Sequence, residues 1–430
     1  MESSYLIIVL CMLGFLASTV PVFMALFFTA VVGFYFLTDM PVLMLAQTLF
    51  RSMDNFALVV VLFFILCGNI MTSGSIVQKL VKVAQAVVGF FPGGLAMAGV
   101  LACGMFGAIS GSTVATVVAI GGFMIPALME NQYDEEFSVG IMTTSPILGI
   151  IIPPSISMIL YSMVSNDSLA ALFMTGFVPG ALIIVAFSIY SYFYCKNRNF
   201  KRMPPPNVKE LVAVLKEGFW SLMLPVLIFG GIFSGVFTAN EAAVIACVYA
   251  FIVELLIHRD MKLKDVKGVV VSSAVTSATL LIIVAGASTF GRYLTLEQIP
   301  ALITDAVVSH IHSAWVFLLV VNIMLLIVGM FMDIISATLI LAPILLPILP
   351  EFHISSLHFG LLMTVNLGIG YCTPPLGVSL YITGALVNRG LIYVTRSVLP
   401  FLAIQIAVLL VLTYWPDLVL FLPKLFYNVG

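Results

Sequence analysis

Four short polar interruptions break long apolar stretches of this 430-residue chain, and they come as two matched pairs. Gly107-Ala-Ile-Ser-Gly-Ser-Thr113 and Ser145-Pro-Ile-Leu-Gly-Ile-Ile-Ile-Pro-Pro-Ser155 lie in the first half. Gly329-Met-Phe-Met-Asp-Ile-Ile-Ser-Ala-Thr338 and Asn366-Leu-Gly-Ile-Gly-Tyr-Cys-Thr-Pro-Pro-Leu-Gly377 follow in the same order in the second. Ser112 and Pro153 are 41 positions apart, as are Asp333 and Pro374. Consecutive prolines lack two amide donors and clash with the preceding turn, so Pro153-Pro154 and Pro374-Pro375 break helices that otherwise continue. The freed carbonyls, with the hydroxyls of Ser155 and Thr373, are hard oxygen ligands suited to a cation such as Na⁺, and helix N-termini nearby suit a carboxylate. The pattern predicts two cation sites around one anion site. Asp333 is an ionisable group inside an apolar stretch, which marks a solute pathway. It could instead cap a helix beginning near Ser336, although that cap would itself border the site. Ser110, Ser112 and Thr113 could equally serve close helix packing, a common use of small residues in membranes.

The elements that must position these residues are long and apolar. A spanning helix needs about 20 apolar residues, and stretches of that kind run over 4–37, 54–74, 92–129, 136–164, 168–195, 219–258, 269–291, 312–350, 357–388 and 395–427. Stretch 4–37 can break at Pro21, and 219–258 near Asn240. Stretches 92–129 and 312–350 are too long for one span and polar at their middles. Each is expected to be a re-entrant helical hairpin, since irregular backbone at membrane depth is tolerated only inside protein or beside a wet cavity. Stretches 136–164 and 357–388 are the broken helices. Basic loops stay in the cytoplasm, which puts 196–218, Lys79 and Lys82, 258–267, and Arg389 with Arg396 inside. Both termini are then outside, and Arg51 beside Asp54 is an exception. The halves are inverted repeats: 1–195, with scaffold helices over 1–74, hairpin 92–129 and broken helix 136–164, and 219–430, with scaffold helices over 219–291, hairpin 312–350, broken helix 357–388 and C-terminal helix 395–427. A cytoplasmic basic linker, 196–218, joins them. The fold class is an all-α polytopic membrane protein.

Composition excludes a soluble domain. The chain is 62% hydrophobic and 8% charged, against about a quarter charged in soluble domains. With no Lys or Arg before Arg51, the first segment lacks the positive start of a cleaved signal and is expected to remain in the membrane. Six scattered cysteines (Cys11, Cys67, Cys103, Cys195, Cys247 and Cys372) have no metal-ligand spacing and read as small buried hydrophobes. Glu254, near a span end and next to basic residues, reads as a snorkelling partner. Arg292 with Glu297, and His310 with His312, read as interfacial. No membrane-depth histidine and no phosphate-binding Gly-rich loop with its lysine is evident, which argues against a membrane enzyme or an ATP-driven pump. A nucleic-acid partner is not expected.

At these motifs the sequence resembles the large membrane subunit of tripartite ATP-independent periplasmic (TRAP) transporters, and the resemblance covers essentially the whole chain. Its carriers are Gly107 to Thr116, Pro146 to Ser155, Asp333 to Thr338, and Asn366 to Gly377. The resemblance implies an elevator-type, Na⁺-driven importer in the bacterial inner membrane. It implies a small four-helix membrane partner, expected here as a separate chain, and a periplasmic substrate-binding protein. It further implies one Na⁺ among Ser110, Ser112, Gly149, Ile152 and Pro154, and another among Asp333, Ser336, Ala337, Gly368, Gly370 and Thr373. Substrate would touch Ser112, Thr113, Ser155, Asp333 and Thr373. Members carrying sialic acid are the most similar, with C4-dicarboxylates the second expectation. The resemblance also implies kinship to the ion-transporter superfamily, and a stand-alone Na⁺-coupled carboxylate carrier of that superfamily is the alternative. In the elevator, 92–164 and 312–388 would move together while 4–74 and 168–291 hold still.

Overall fold

The computed structural model describes residues 7–427 apart from 9, 13, 16, 17, 19, 39, 40, 197, 199, 201–203 and 206. The segment expected over 1–20 falls largely outside the described residues, as do Lys201 and Arg202 of the linker. The described residues are helical, with no strand among them. Nine of these helices are long and apolar enough to cross a membrane, or up to ten if a bent pair counts as one span.

Both hairpins and both broken helices form where the polar interruptions fall. The first hairpin runs down Gly94–Ser110, turns at Gly111 and Ser112, and returns through Thr113–Glu130. The second runs down Ala314–Phe331, turns at Met332 and Asp333, and returns through Ile334–Phe352. The first broken helix is Glu135–Ile151 and Ile156–Ser165, parted by residues 152–155. Its counterpart is Ser356–Gly370 and Val378–Val387, parted by residues 371–377. Both proline pairs hold a cis peptide bond.

The two repeats interlock. The returning limb of the first hairpin packs on Val378–Val387 of the second broken helix, and that of the second hairpin packs on Ile156–Ser165 of the first. A short helix leads into each hairpin: the amphipathic Ile76–Val88 before the first and the apolar Ile299–His310 before the second. The basic residues expected on one side share one end of the molecule. Lys82 pairs with Glu217 at 2.9 Å, Arg389 is bidentate to Glu135 at 2.8 and 2.9 Å, and Arg198 pairs with Asp134. At the opposite end Trp315 stacks on Tyr414 beside an open cleft of about 600 Å³.

Several boundaries differ from the expectation. A capping box between Asn207 and Glu210 starts the next span at Val208, so the linker is shorter and Lys209 and Lys216 ride on the first turns of a helix. An amphipathic helix, Val42–Met53, precedes Ala57–Ser73 at a bend of 51°. The C-terminal helix divides at Trp415 into Leu391–Tyr414 and Pro416–Tyr427. Leu169–Lys196 packs on the first hairpin and the first broken helix, where Gly180 meets the side chain of Ile152, and also touches Val208–Phe233 through Phe177 on Phe229 and Phe233.

Candidate functional site

At the first tip the chain reverses through Gly111, whose φ of +60° is the left-handed conformation glycine adopts without cost. A side chain there would also strike the Pro154 carbonyl at 2.7 Å. Ser112 then caps the returning limb, its hydroxyl accepting the Ala115 amide at 3.4 Å. Thr116 donates to the Ser112 carbonyl at 2.8 Å, and its hydroxyl lies 3.4 Å from that of Ser110. The broken helix presents Gly149 to this group, where a Cβ would come within 2.7 Å of Thr116 Oγ1 and 2.8 Å of the Ser112 carbonyl. Ser110, Ser112, Thr116, Gly149 and Pro154 are thus brought together. Ile152 contributes backbone only, since its side chain packs between Gly104 and Gly180. Thr113 is buried with its hydroxyl unpartnered.

The second tip repeats the plan with a charge. Asp333 caps Ile334–Leu345, Oδ1 accepting the Ser336 amide at 2.9 Å. The amide of Ile334, a donor the helix itself cannot satisfy, donates to the Tyr371 hydroxyl at 3.1 Å. Ser336 and Ala337 are buried on the first turn, and the Ser336 hydroxyl has no partner. Gly370 sits against the down-going limb, where a Cβ would meet Gly329 C at 2.5 Å. Thr373 is half-buried and its hydroxyl donates to the Ile369 carbonyl at 2.8 Å. Gly368 turns elsewhere: Ile147 and Ile150 of the first broken helix fill the space beside its Cα.

Four limbs therefore begin at the breaks, at Thr113, Ile156, Ile334 and Val378. Three carry a side-chain cap, from Ser112, Ser155 and Asp333, while the fourth starts at Gly377 without one. Helix N-termini carry partial positive charge, and hydroxyl, carbonyl and carboxylate oxygens surround the two tips. The arrangement can hold hard cations at the tips and an anion between the N-termini. Of the expected substrate residues, Ser112, Asp333 and Thr373 are half-exposed, whereas Ser155 is fully buried with its hydroxyl 2.9 Å from that of Ser157.

Sequence reasoning missed Tyr371 and Thr116, both within quoted motifs. It also misread Glu254. Glu254 is fully buried rather than snorkelling, because its carboxylate accepts the amides of Ser75 and Ile76 at 3.3 and 3.1 Å and so holds the start of Ile76–Val88. His358 is also buried, near the end cleft rather than at the tips, and its Nε2 donates to the Leu412 carbonyl at 2.8 Å.

Residues 9–418 match the family described as "Tripartite ATP-independent periplasmic transporter, DctM component". The C4-dicarboxylate TRAP transporter large permease protein DctM of Pseudomonas aeruginosa is 41% identical over 88% of this chain and 89% of its own length. The sialic acid TRAP transporter large permease protein SiaM of Vibrio cholerae is 34% identical over 97% of this chain and 98% of its own. Among solved structures, the YdaH transporter of Alcanivorax borkumensis, described as having an unusual topology, superposes with a TM-score of 0.62. It covers 87% of this chain and 88% of its own at 15% identity, a likeness of fold. The chain belongs to the DctM-component family and is a multi-pass membrane protein.

Proposed function

We propose that this chain, as the large membrane component of such a transporter, carries an organic-acid anion into the cell across the bacterial inner membrane, driven by Na⁺. The observation that carries the reading is the pairing of each hairpin tip with a broken helix, around which four limb helices begin. One Na⁺ would use oxygens of Ser110, Ser112 and Thr116 with the backbone over Gly149 to Pro154. A second would use Asp333, Ser336 and the backbone from Gly370 to Thr373. The carboxylate would lie between them, against Ser112, Thr113, Asp333 and Thr373. Family membership supports two partners, a small membrane subunit and a periplasmic binding protein.

Two carboxylate classes are tested first. The relative at 41% identity is named for C4-dicarboxylates and supports that class. Sialic acid, the expectation from the sequence motifs, is supported by a relative matched along nearly its whole length. The moving unit would comprise both hairpins and both broken helices and, from its packing, Leu169–Lys196 as well.

The test is uptake into liposomes holding this chain and its small subunit. Radiolabelled succinate and sialic acid are compared with and without an inward Na⁺ gradient and with and without the cognate binding protein. Uptake requiring both supports the proposal and names the substrate. Uptake of free substrate without the binding protein would make the chain a stand-alone carrier. Uptake indifferent to Na⁺ would refute the coupling.

A further inference from the structure

A second cluster of charged groups lies far in sequence from the tips, where the span Ala239–His258 ends at the basic end of the molecule. Its last turn, Val253–His258, is wound as a π-helix, and Arg259 follows at a φ of +60°. This reversal returns Asp260 toward the helix it has just left. One oxygen of Glu254, one ring nitrogen of His258 and one oxygen of Asp260 lie within 4.8 Å of one another. Glu254 is fully buried, and the His258 side chain is only 5% exposed. Neither nitrogen of that buried ring has a hydrogen-bond partner, and Nδ1 lies 3.9 Å from Glu254 Oε2. A buried imidazole normally bonds through at least one nitrogen. Here both are unsatisfied, and one is aimed at a carboxylate.

The cation now nearest the cluster is Lys79, whose ammonium is 3.9 Å from Asp260 Oδ2. It arrives from the amphipathic helix Ile76–Val88, whose first amides Glu254 also holds. Glu217 and Lys82, paired at 2.9 Å, stand on the neighbouring elements.

We propose that Glu254, His258 and Asp260 form a site for a first-row divalent metal ion such as Zn²⁺, in which the bound ion displaces Lys79. One imidazole with two carboxylates suits zinc or its neighbours rather than Na⁺ or Ca²⁺, which favour all-oxygen sets. Glu254 can ligate without releasing the helix it caps, because each carboxylate oxygen has a second lone pair. Bound zinc needs donors at about 2.0–2.2 Å, and the exposed Asp260 is free to close that distance by rotation. Lys79 and the metal compete for the same negative charge. Occupancy therefore frees Lys79 from Asp260 while Glu254 keeps its bonds to the first amides of the helix that leads into the first hairpin.

The test uses full-length protein, stripped of metal by a chelator and held in lipid nanodiscs. It is titrated with Zn²⁺ by calorimetry and with Co²⁺ by visible absorption. The expected result is one equivalent per chain. His258→Gln should weaken binding by at least about tenfold, since even outer-shell changes cost 10–100-fold. Asp260→Asn should weaken it less. Lys79→Gln should tighten it, because the competitor is gone; a merely structural lysine would predict no gain. Zinc binding equal in wild type and His258→Gln would mean adventitious capture by exposed histidines and would overturn the proposal, as would weaker binding by Lys79→Gln. If His258→Gln does not fold, with folding judged by metal-free thermal unfolding, Asp260→Asn, at the more exposed ligand, and Lys79→Gln decide the matter.

Discussion

The two hairpin tips share a backbone plan but differ in where their polar groups sit. At the first, the side-chain groups belong to the hairpin itself: Ser110, Ser112 and Thr116 bond among themselves, and the break brings backbone, at Gly149 and Pro154. At the second, the broken helix takes part, through Tyr371 on the amide of Ile334 and through Thr373. Aligning Ser112 with Asp333 sets Gly149 against Gly370, Ile150 against Tyr371, Ile152 against Thr373 and Thr116 against Ala337. The glycine of the break is retained in both halves, as Gly149 and Gly370, while the Thr116 hydroxyl has no counterpart, the break has gained Tyr371 and Thr373, and a neutral cap has become a carboxylate. The geometry is common to the repeats and the charge is not, so the second tip should bind its cation more tightly and depend on it more.

The sharpest way to break this comparison is to remove each cap. Hydrogen bonds to charged groups contribute about 1.5–3 kcal/mol and neutral ones about 0.5–1.5, which correspond to roughly 10–150-fold and 2–12-fold in affinity. Asp333→Asn should therefore raise the Na⁺ concentration for half-maximal uptake by one to two orders of magnitude. Ser112→Ala should raise it by no more than about tenfold. Equal losses would mean that the carboxylate does not distinguish the sites.

The aligned glycines sharpen the shared part of the plan. Gly149→Ala places a methyl 2.7 Å from a threonine hydroxyl, which can rotate, and 2.8 Å from a carbonyl. Gly370→Ala places one 2.5 Å from backbone carbon of Gly329, which cannot yield without moving the hairpin limb. Overpacking costs about 1–3 kcal/mol, and Gly370→Ala should lie at the upper end. Thermal unfolding in detergent should show a larger drop in midpoint for Gly370→Ala than for Gly149→Ala. The reverse order would place the tighter contact at the first tip.

How much of this is legible in the sequence follows from which signals are local. Hairpins and breaks are readable because a polar residue or a proline pair in an apolar run interrupts the helix where it stands, and the 41-residue spacing repeats the message. Helix Val42–Met53 is not, being amphipathic and only 12 residues long, below the length that marks a span. Glu254 misleads because its partners, the amides of Ser75 and Ile76, lie nearly 180 positions away and backbone donors leave no trace in sequence. The packing of Leu169–Lys196 on the first hairpin escapes for a related reason: a hydrophobic run shows that a helix is buried, not which neighbour buries it. The resemblance implies Gly368 at the second tip, yet two positions along a helix rotate it by about 200° from Gly370, onto Ile147 and Ile150.

Tyr371 tests whether the difference between the tips extends beyond charge. Its hydroxyl accepts the first amide of the Asp333-capped limb, a position filled by Ile150 in the other repeat. In Tyr371→Phe that amide loses its acceptor inside the protein, at about 1–3 kcal/mol for an unsatisfied buried donor. The ring itself is retained, so packing against the break is preserved. If the tyrosine only supports the fold, the thermal midpoint falls and the Na⁺ dependence of uptake does not change. If it fixes the limb that carries Asp333, the Na⁺ dependence shifts in the same direction as in Asp333→Asn but by less. The double variant then shows less than the sum of the two single effects, because both act through one helix start. Additive losses would separate Tyr371 from the cation site and leave the carboxylate as the whole of the difference between the tips.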